Sequence, residues 1–313
     1  MNKLTKTALL CVGLLLSATI MADDNVKQIN PEFFSEEQTA DYLADSEYIE
    51  NWGTFDVQSR LRKKEYTIDD VRNFVKRQAC PWSEDAIKAV QNEIDFLNKK
   101  IVSNGYKLPL PEKVPFMLTT MIEEGDCVAY TRKDGIAIRS RSVLSSATAT
   151  LVAHELFHVL TRNNPDFKAE IYKLIGFEIL EKDITVPDSF KNMMISNPDV
   201  ERHNSCATFT IDGKAVDCAM FIYSDREWTG RTFFDYLNIG LLEIDKKNCT
   251  LILKDGKPVI HKVSDAEDFY EKVGFGTDYI IDPEEILADN FADVLCGYTD
   301  SKLTQAIHQL LQK

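Results

Sequence analysis

The string His154-Glu155-Leu156-Phe157-His158 constrains this chain more than any other stretch. It lies in a run that reads as one amphipathic helix. Ser145 or Ser146 can cap it, Leu151, Val152, Leu156, Val159 and Leu160 supply its apolar sides, and Asn163-Asn164-Pro165 stops it. Four-residue spacing puts both imidazoles on one helix face a turn apart, close enough to share a metal ion. Glu155 is rotated by roughly 100° around the helix, outside the coordination shell but within reach of a water on the metal. Zinc acidifies such a water, and the neighbouring carboxylate can take its proton. The competing reading, two histidines on a partly buried surface beside a solvated glutamate, leaves the bounded amphipathic setting unexplained.

The ends of the chain and its charge narrow the setting. Lys3 and Lys6, the apolar run from Ala8 to Ile20 and the small residues around Ala18 and Ala22 read as a signal peptide over residues 1–22, cleaved after Ala22. The apolar run is shorter than the roughly 20 residues that span a bilayer, so a secreted or periplasmic soluble protein is expected rather than an anchored one. Cys11 follows Ala8-Leu9-Leu10, which lacks the small residue wanted before a lipid-carrying cysteine. Cleavage removes two lysines and no acid, moving the net charge from −14 to −16. That excludes a nucleic-acid binder or an anionic-membrane protein.

Six cysteines remain: Cys80, Cys127, Cys206, Cys218, Cys249 and Cys296. In an oxidising compartment they permit disulfides, but only Cys206 with Cys218 has local support, from the hairpin-turn signal Asp212-Gly213 between them. No Cys-x-x-Cys pair exists, which argues against a cysteine-based zinc site.

Residues 23–80 form an acidic, aromatic-rich lead-in, helical or extended, that could act as a pro-segment. Residues 81–313 are read as a catalytic domain of α+β class. Its first helix has Ser83 as cap, an apolar face of Ile87, Val90, Ile94, Leu97 and Ile101, and a stop at Asn104-Gly105. Strands over Val114 to Thr119 and Val128 to Arg139 follow, the latter turning at Asp134-Gly135, before the motif helix. Two hairpins, around Asp212-Gly213 and Asp255-Gly256, mark a strand-rich insert at about 197–263 that could wall a cleft.

The motif resembles that of the zincin metallopeptidases, which implies an active-site helix packed under a twisted mixed sheet and a single catalytic zinc ion. Zincin families differ chiefly in the third ligand. The metzincin pattern needs a glycine and a third histidine soon after the motif, and Val159 to Phe167 contains neither. Glu285 and Asp289 resemble the distant Glu-x-x-x-Asp of the gluzincins, which implies Glu285 as zinc ligand and Asp289 as the group orienting a metal histidine, His154. A local alternative exists: Asp282, Pro283 and Glu285 also fit a capping box that needs no metal. Glu284 should point elsewhere.

Rivals for the third ligand are Glu178, 20 residues beyond His158 but with Lys182 where an orienting acid belongs, and Asp278. Tyr279, His203 and Tyr298 are candidates to stabilise an oxyanion. His261 and His308 read as structural or surface residues, and Phe233 to Tyr236 as core.

The expected function is therefore an exported zinc metallopeptidase: His154, His158 and Glu285 bind one Zn2+, Glu155 is the general base, and a peptide or protein is the substrate. That substrate could add as a strand to the sheet edge near Gly135 to Ile138. Two alternatives are a catalytically inactive binding protein on the same scaffold and a zinc amidase acting on a non-protein substrate.

Overall fold

The computed structural model describes residues 26–313. The signal-peptide reading falls on residues 1–22, outside the described residues.

A five-stranded mixed sheet forms the centre. It comprises β1 (Pro31–Phe33), β2 (Ala79–Cys80), β3 (Val114–Thr119), β4 (Ala129–Arg132) and β5 (Gly135–Arg139), in the order β1-β3-β5-β4 with β2 also on β3. β1, β3 and β5 run parallel, while β4 returns antiparallel to β5. Every residue of β3 is buried, as expected of a strand covered on both faces. Phe116, Leu118, Ile136 and Ile138 pack into the main core on one side. Met117, Tyr130 and Ala137 face a second core on the other.

That second core is supplied by the N-terminal segment. Helices α1 (Glu36–Ala44), α2 (Glu47–Glu50), α3 (Thr54–Leu61) and α4 (Ile68–Lys76) contribute Leu43, Tyr48, Ile49, Val57, Val71 and Val75. Together with the pairing of β1 and β2 on β3, this makes residues 26–80 one layer of the central body.

On the main-core face lies α5 (Glu84–Asn104), capped by Ser83, whose hydroxyl accepts from Ala86 N, and ended by Gly105 at φ +64°. Its buried stripe is Ala86, Val90, Ile94, Leu97 and Ile101; Ile87 sits at the margin. The motif helix α7 (Ala149–Asn163) packs beneath β4 and β5 and against α5. Its cap is Thr148, which accepts from Leu151 N, not Ser145 or Ser146, because those serines belong to a short preceding turn of helix, α6 (Val143–Ser146). After α7 the chain passes through α8 (Pro165–Tyr172) and, further on, α9 (Asp188–Lys191) and α10 (Phe269–Val273). α11 (Pro283–Cys296) returns alongside α7, and α12 (Lys302–Leu311) closes the layer.

Between α8 and α10 runs a second sheet of β6 (Phe177–Ile179), β7 (Ser205–Ile211), β8 (Lys214–Tyr223), β9 (Asn238–Asp245) and β10 (Thr250–Leu251). Beyond β10 come β11 (Leu253–Lys254), β12 (Lys257–Pro258) and β13 (Ile260–His261), of which β13 pairs with β9. Both expected hairpins form. Asp212 and Gly213 lie at φ +49° and +67°, and Asp255 and Gly256 at +53° and +76°, the paired positive values of a two-residue turn that matches strand twist. The insert begins earlier than position 197, because β6 pairs with β7.

Two expectations about this region fail on register. Ala207 pairs with Cys218, so Cys206 is one residue out of step with Cys218. Neighbouring residues on a strand face opposite sides, and Cys218 enters the main core while Cys206 enters a separate cluster with Phe190 and Phe221. No disulfide joins them, and all six cysteines of the described chain are free. Likewise β5 is flanked by β3 and β4, so the open edge is β4, not Gly135 to Ile138. The turn before β5 is Lys133-Asp134, with Gly135 already paired to Arg132.

Candidate metal centre

α7 and α11 lie side by side, and their facing surfaces carry the chemistry. His154 and His158 project from the same face of α7, ring centroids 4.9 Å apart. Glu285 meets them from the first turn of α11: its Oε2 is 3.0 Å from His154 Nε2 and 3.6 Å from His158 Nε2. The helix cap is made without it. Asp282 accepts from Glu284 N at 2.9 Å with Pro283 at the first helical position, while both Glu285 oxygens are engaged at the centre, Oε1 by Asn197 Nδ2 at 2.5 Å. The capping-box explanation for Glu285 therefore does not hold.

The outer nitrogens of both imidazoles are held by acids. His154 Nδ1 donates to Asp289 Oδ1 at 2.8 Å, and His158 Nδ1 donates to Glu284 Oε1 at 3.2 Å. Contacts of this kind fix the tautomer and aim Nε2 at whatever occupies the space between the rings. Asp289 is itself held by the Thr277 hydroxyl, and Glu284 by the hydroxyls of Thr161 and Tyr172 and by Lys168 Nζ at 3.5 Å. Glu155 is buried, with Oε2 accepting from the Thr131 hydroxyl of β4 at 2.9 Å.

The electrostatics follow from two rings packed among five acids. Burial opposes ionisation of Glu285, but His158, His154 and Asn197 outweigh it and hold its carboxyl below the usual range. Burial likewise opposes ionisation of Glu284, yet Lys168 and His158 bring it down to about 2. For Glu155 burial prevails over the two histidines and raises its carboxyl.

The donor set suits a divalent cation. Among the described residues, His154, His158 and Glu285 offer one ligand atom each within 4.8 Å of one another, and so do Glu155, His158 and Asp199. His158 Nε2 is buried and has no hydrogen-bond partner. A buried imidazole nitrogen left unpaired, aimed at a carboxylate and backed by an acid on its far side, is the arrangement a metal completes. Two nitrogens and one carboxylate oxygen with no thiolate form a donor set that first-row divalent metals take.

The rivals lie elsewhere. Glu178 is on β6, half exposed and paired with Lys246 Nζ at 2.5 Å. Asp278 is exposed, and its neighbour Thr277 is the residue that reaches the site. His203 stacks on Phe221, centroids 4.6 Å apart, and lines a separate cavity of about 620 Å³. Tyr298 is exposed. Of the oxyanion candidates only Tyr279 is nearby, its ring 6.4 Å from that of His154. His308 is bonded to the Tyr106 hydroxyl at 2.7 Å and His261 to Glu243 at 2.7 Å, both structural pairs.

Glu284, Asn197, Asp199 and Thr131 were not foreseen. Helical geometry does separate Glu284 from Glu285 by about 100°, but only the adjacency of α11 to α7 and α8 shows that this direction leads to His158. Asn197 and Asp199 sit in a polar loop with no local signal of a role. No family model matches the chain, and neither curated proteins nor solved structures provide a match.

Proposed function

We propose that this chain is a zinc-dependent hydrolase of peptide bonds with a zincin-like, specifically gluzincin-like, centre. His154, His158 and Glu285 hold one zinc ion, Asp289 orients His154, and Glu284 orients His158. The observation that carries the reading is the convergence of both Nε2 atoms on Glu285 while both Nδ1 atoms are held by acids.

Zinc bound there supplies a Lewis acid that polarises a carbonyl and acidifies a water. The chain's own part is proton handling and alignment. The Thr131 hydroxyl fixes Glu155 Oε2, leaving Oε1 to take a proton from the attacking water and return it to the departing amine. Burial raises the Glu155 carboxyl, which suits a group that must carry a proton between two steps.

Metal analysis tests this. Purified protein is expected to hold about one zinc per chain and the His154→Ala variant none; a wild-type protein unable to bind zinc overturns the reading. Hydrolysis of a peptide library, set against non-peptide amides, separates a peptidase from an amidase. A second reading, a binding protein on the same scaffold without turnover, is favoured by one observation. A cavity next to the centre, lined by Ala129, Tyr130, Asn197, Asp199, Phe233 and Tyr279, measures only about 60 Å³, against the several hundred of an ordinary ligand site.

A further inference from the structure

That narrow space has a cause. The segment Ser196 to Glu201, from the loop before β7, lies along the open edge of β4 and reaches Glu285 and the neighbourhood of His158. Thr131 N donates to Asp199 Oδ1 at 2.6 Å, and Lys133 N, just past the strand end, donates to Glu201 Oε1 at 3.1 Å. Two donors two residues apart on a sheet edge are what an added peptide strand satisfies with its carbonyls. Here two carboxylates, also two residues apart, take those places.

The same segment reaches the centre at two points. Asn197 Nδ2 donates to Glu285 Oε1 at 2.5 Å. Asp199 presents a carboxylate oxygen within 4.8 Å of ligand atoms of both Glu155 and His158, a set that shares His158 with the set of His154, His158 and Glu285.

It is also clamped from behind. Ser196 N and Oγ donate to Asp56 at 2.9 and 2.7 Å, and Ser196 O accepts from Arg60 Nη2 at 2.7 Å and from the Tyr48 hydroxyl at 3.0 Å. Arg60 is paired with Asp56 at 2.6 Å and with Glu124 at 2.9 Å, all three side chains buried. On the other flank Arg162 Nη2 donates to the carbonyls of Pro198 and Asp199 at 3.0 and 3.3 Å. The cavity of about 60 Å³ that the segment borders has room for a few waters and for no peptide side chain of ordinary size.

We propose that Ser196 to Glu201 is an internal plug that keeps the centre latent: Asp199 is a fourth protein ligand to the metal, and the segment occupies the edge of β4 that an extended peptide substrate must take. The proposal rests on the zinc reading above. Opening requires the segment to leave, after which Thr131 N and Lys133 N are free to donate to substrate carbonyls and the metal gains an open position. The occupant that replaces the plug is an extended peptide running along β4.

Acetohydroxamate, a small zinc chelator that needs an open coordination position, is the probe. It is titrated calorimetrically into zinc-loaded wild-type, Asp199→Asn and Asp199→Ala proteins. Asp199→Asn keeps an acceptor for Thr131 N, so it decides the matter if the alanine variant does not fold. Both variants are expected to bind acetohydroxamate at least about tenfold more tightly than wild type, because the competent state no longer competes with the carboxylate. Stoichiometric zinc in all proteins with equal acetohydroxamate affinity overturns the plug and leaves the zinc reading standing. Failure of the wild-type protein to take up zinc overturns both.

Discussion

Glu284 and Glu285 are neighbours in sequence yet reach the paired histidines from opposite sides: Glu285 Oε2 lies 3.0 Å from His154 Nε2 and 3.6 Å from His158 Nε2, whereas Glu284 Oε1 accepts from His158 Nδ1 at 3.2 Å. One helical step of about 100° divides them between facing the rings and backing one of them. Their removal should therefore have different consequences.

Replacing Glu284 by Gln leaves the inner donor set intact but weakens its support. Zinc affinity, measured by competition with a chromophoric chelator, is expected to fall by about 10- to 100-fold. Glu285→Ala should abolish stoichiometric binding. Glu178→Ala, on the exposed face of β6, should bind zinc as wild type does; a loss there would reinstate Glu178 as a ligand.

Glu155→Gln keeps the shape of the side chain and its contact with Thr131 while removing the proton acceptor. Zinc content is expected to stay at the wild-type level, and peptide hydrolysis to fall by about 100- to 10,000-fold. A variant that hydrolyses at the wild-type rate sinks the general-base role. A wild-type protein that binds zinc and hydrolyses nothing, even in the Asp199 variants, favours the binding-protein reading.

His203 offers a pH test remote from the centre. Burial lowers its imidazole from the ordinary 6.5 to about 4. The native ring stays neutral where the unfolded ring takes a proton, so its contribution is complete above 6.5 and is lost as pH falls from 6.5 towards 4. The loss is on the order of 2 kcal/mol after discounting for the ring's partial exposure. Urea unfolding at a series of pH values should show His203→Phe, which preserves the stacking on Phe221, losing less stability than wild type across that window.

Arg60 neutralises Asp56 and Glu124 inside the N-terminal layer. Arg60→Ala leaves buried carboxylates short of a partner and is expected to destabilise the fold by about 3–5 kcal/mol in chemical denaturation. A change below 1 kcal/mol would mean that water enters and solvates the acids.

What the sequence disclosed was local. The motif helix, the long helix from Ser83, and the hairpins at Asp212-Gly213 and Asp255-Gly256 each carry a period or a turn signal within a few residues, and all four form. Glu285 was legible because a four-residue spacing to Asp289 copies a known pattern, yet its alternative as a cap could be dismissed only by seeing which atoms its oxygens meet. Glu284 and Asp199 were illegible because their roles depend on which surfaces α8, α11 and the loop before β7 present to α7. The cysteines show the same limit. The turn between Cys206 and Cys218 was read correctly, but the faces the two thiols occupy are set by strand register, which shifts every side chain when it moves by one.

Those unpaired thiols govern what happens when the fold is lost. Burial pushes the Cys206 and Cys218 thiols up to about 12, so in the intact protein neither ionises near neutral pH and both resist oxidation and alkylation. Unfolding returns these two to the ordinary thiol range and exposes all six cysteines of the described residues, which can then crosslink in any pairing. Heating in oxidising buffer should therefore be a one-way process, ending in scrambled and intermolecular bridges, and a reductant should restore reversibility. The durability of this protein depends on how seldom it opens.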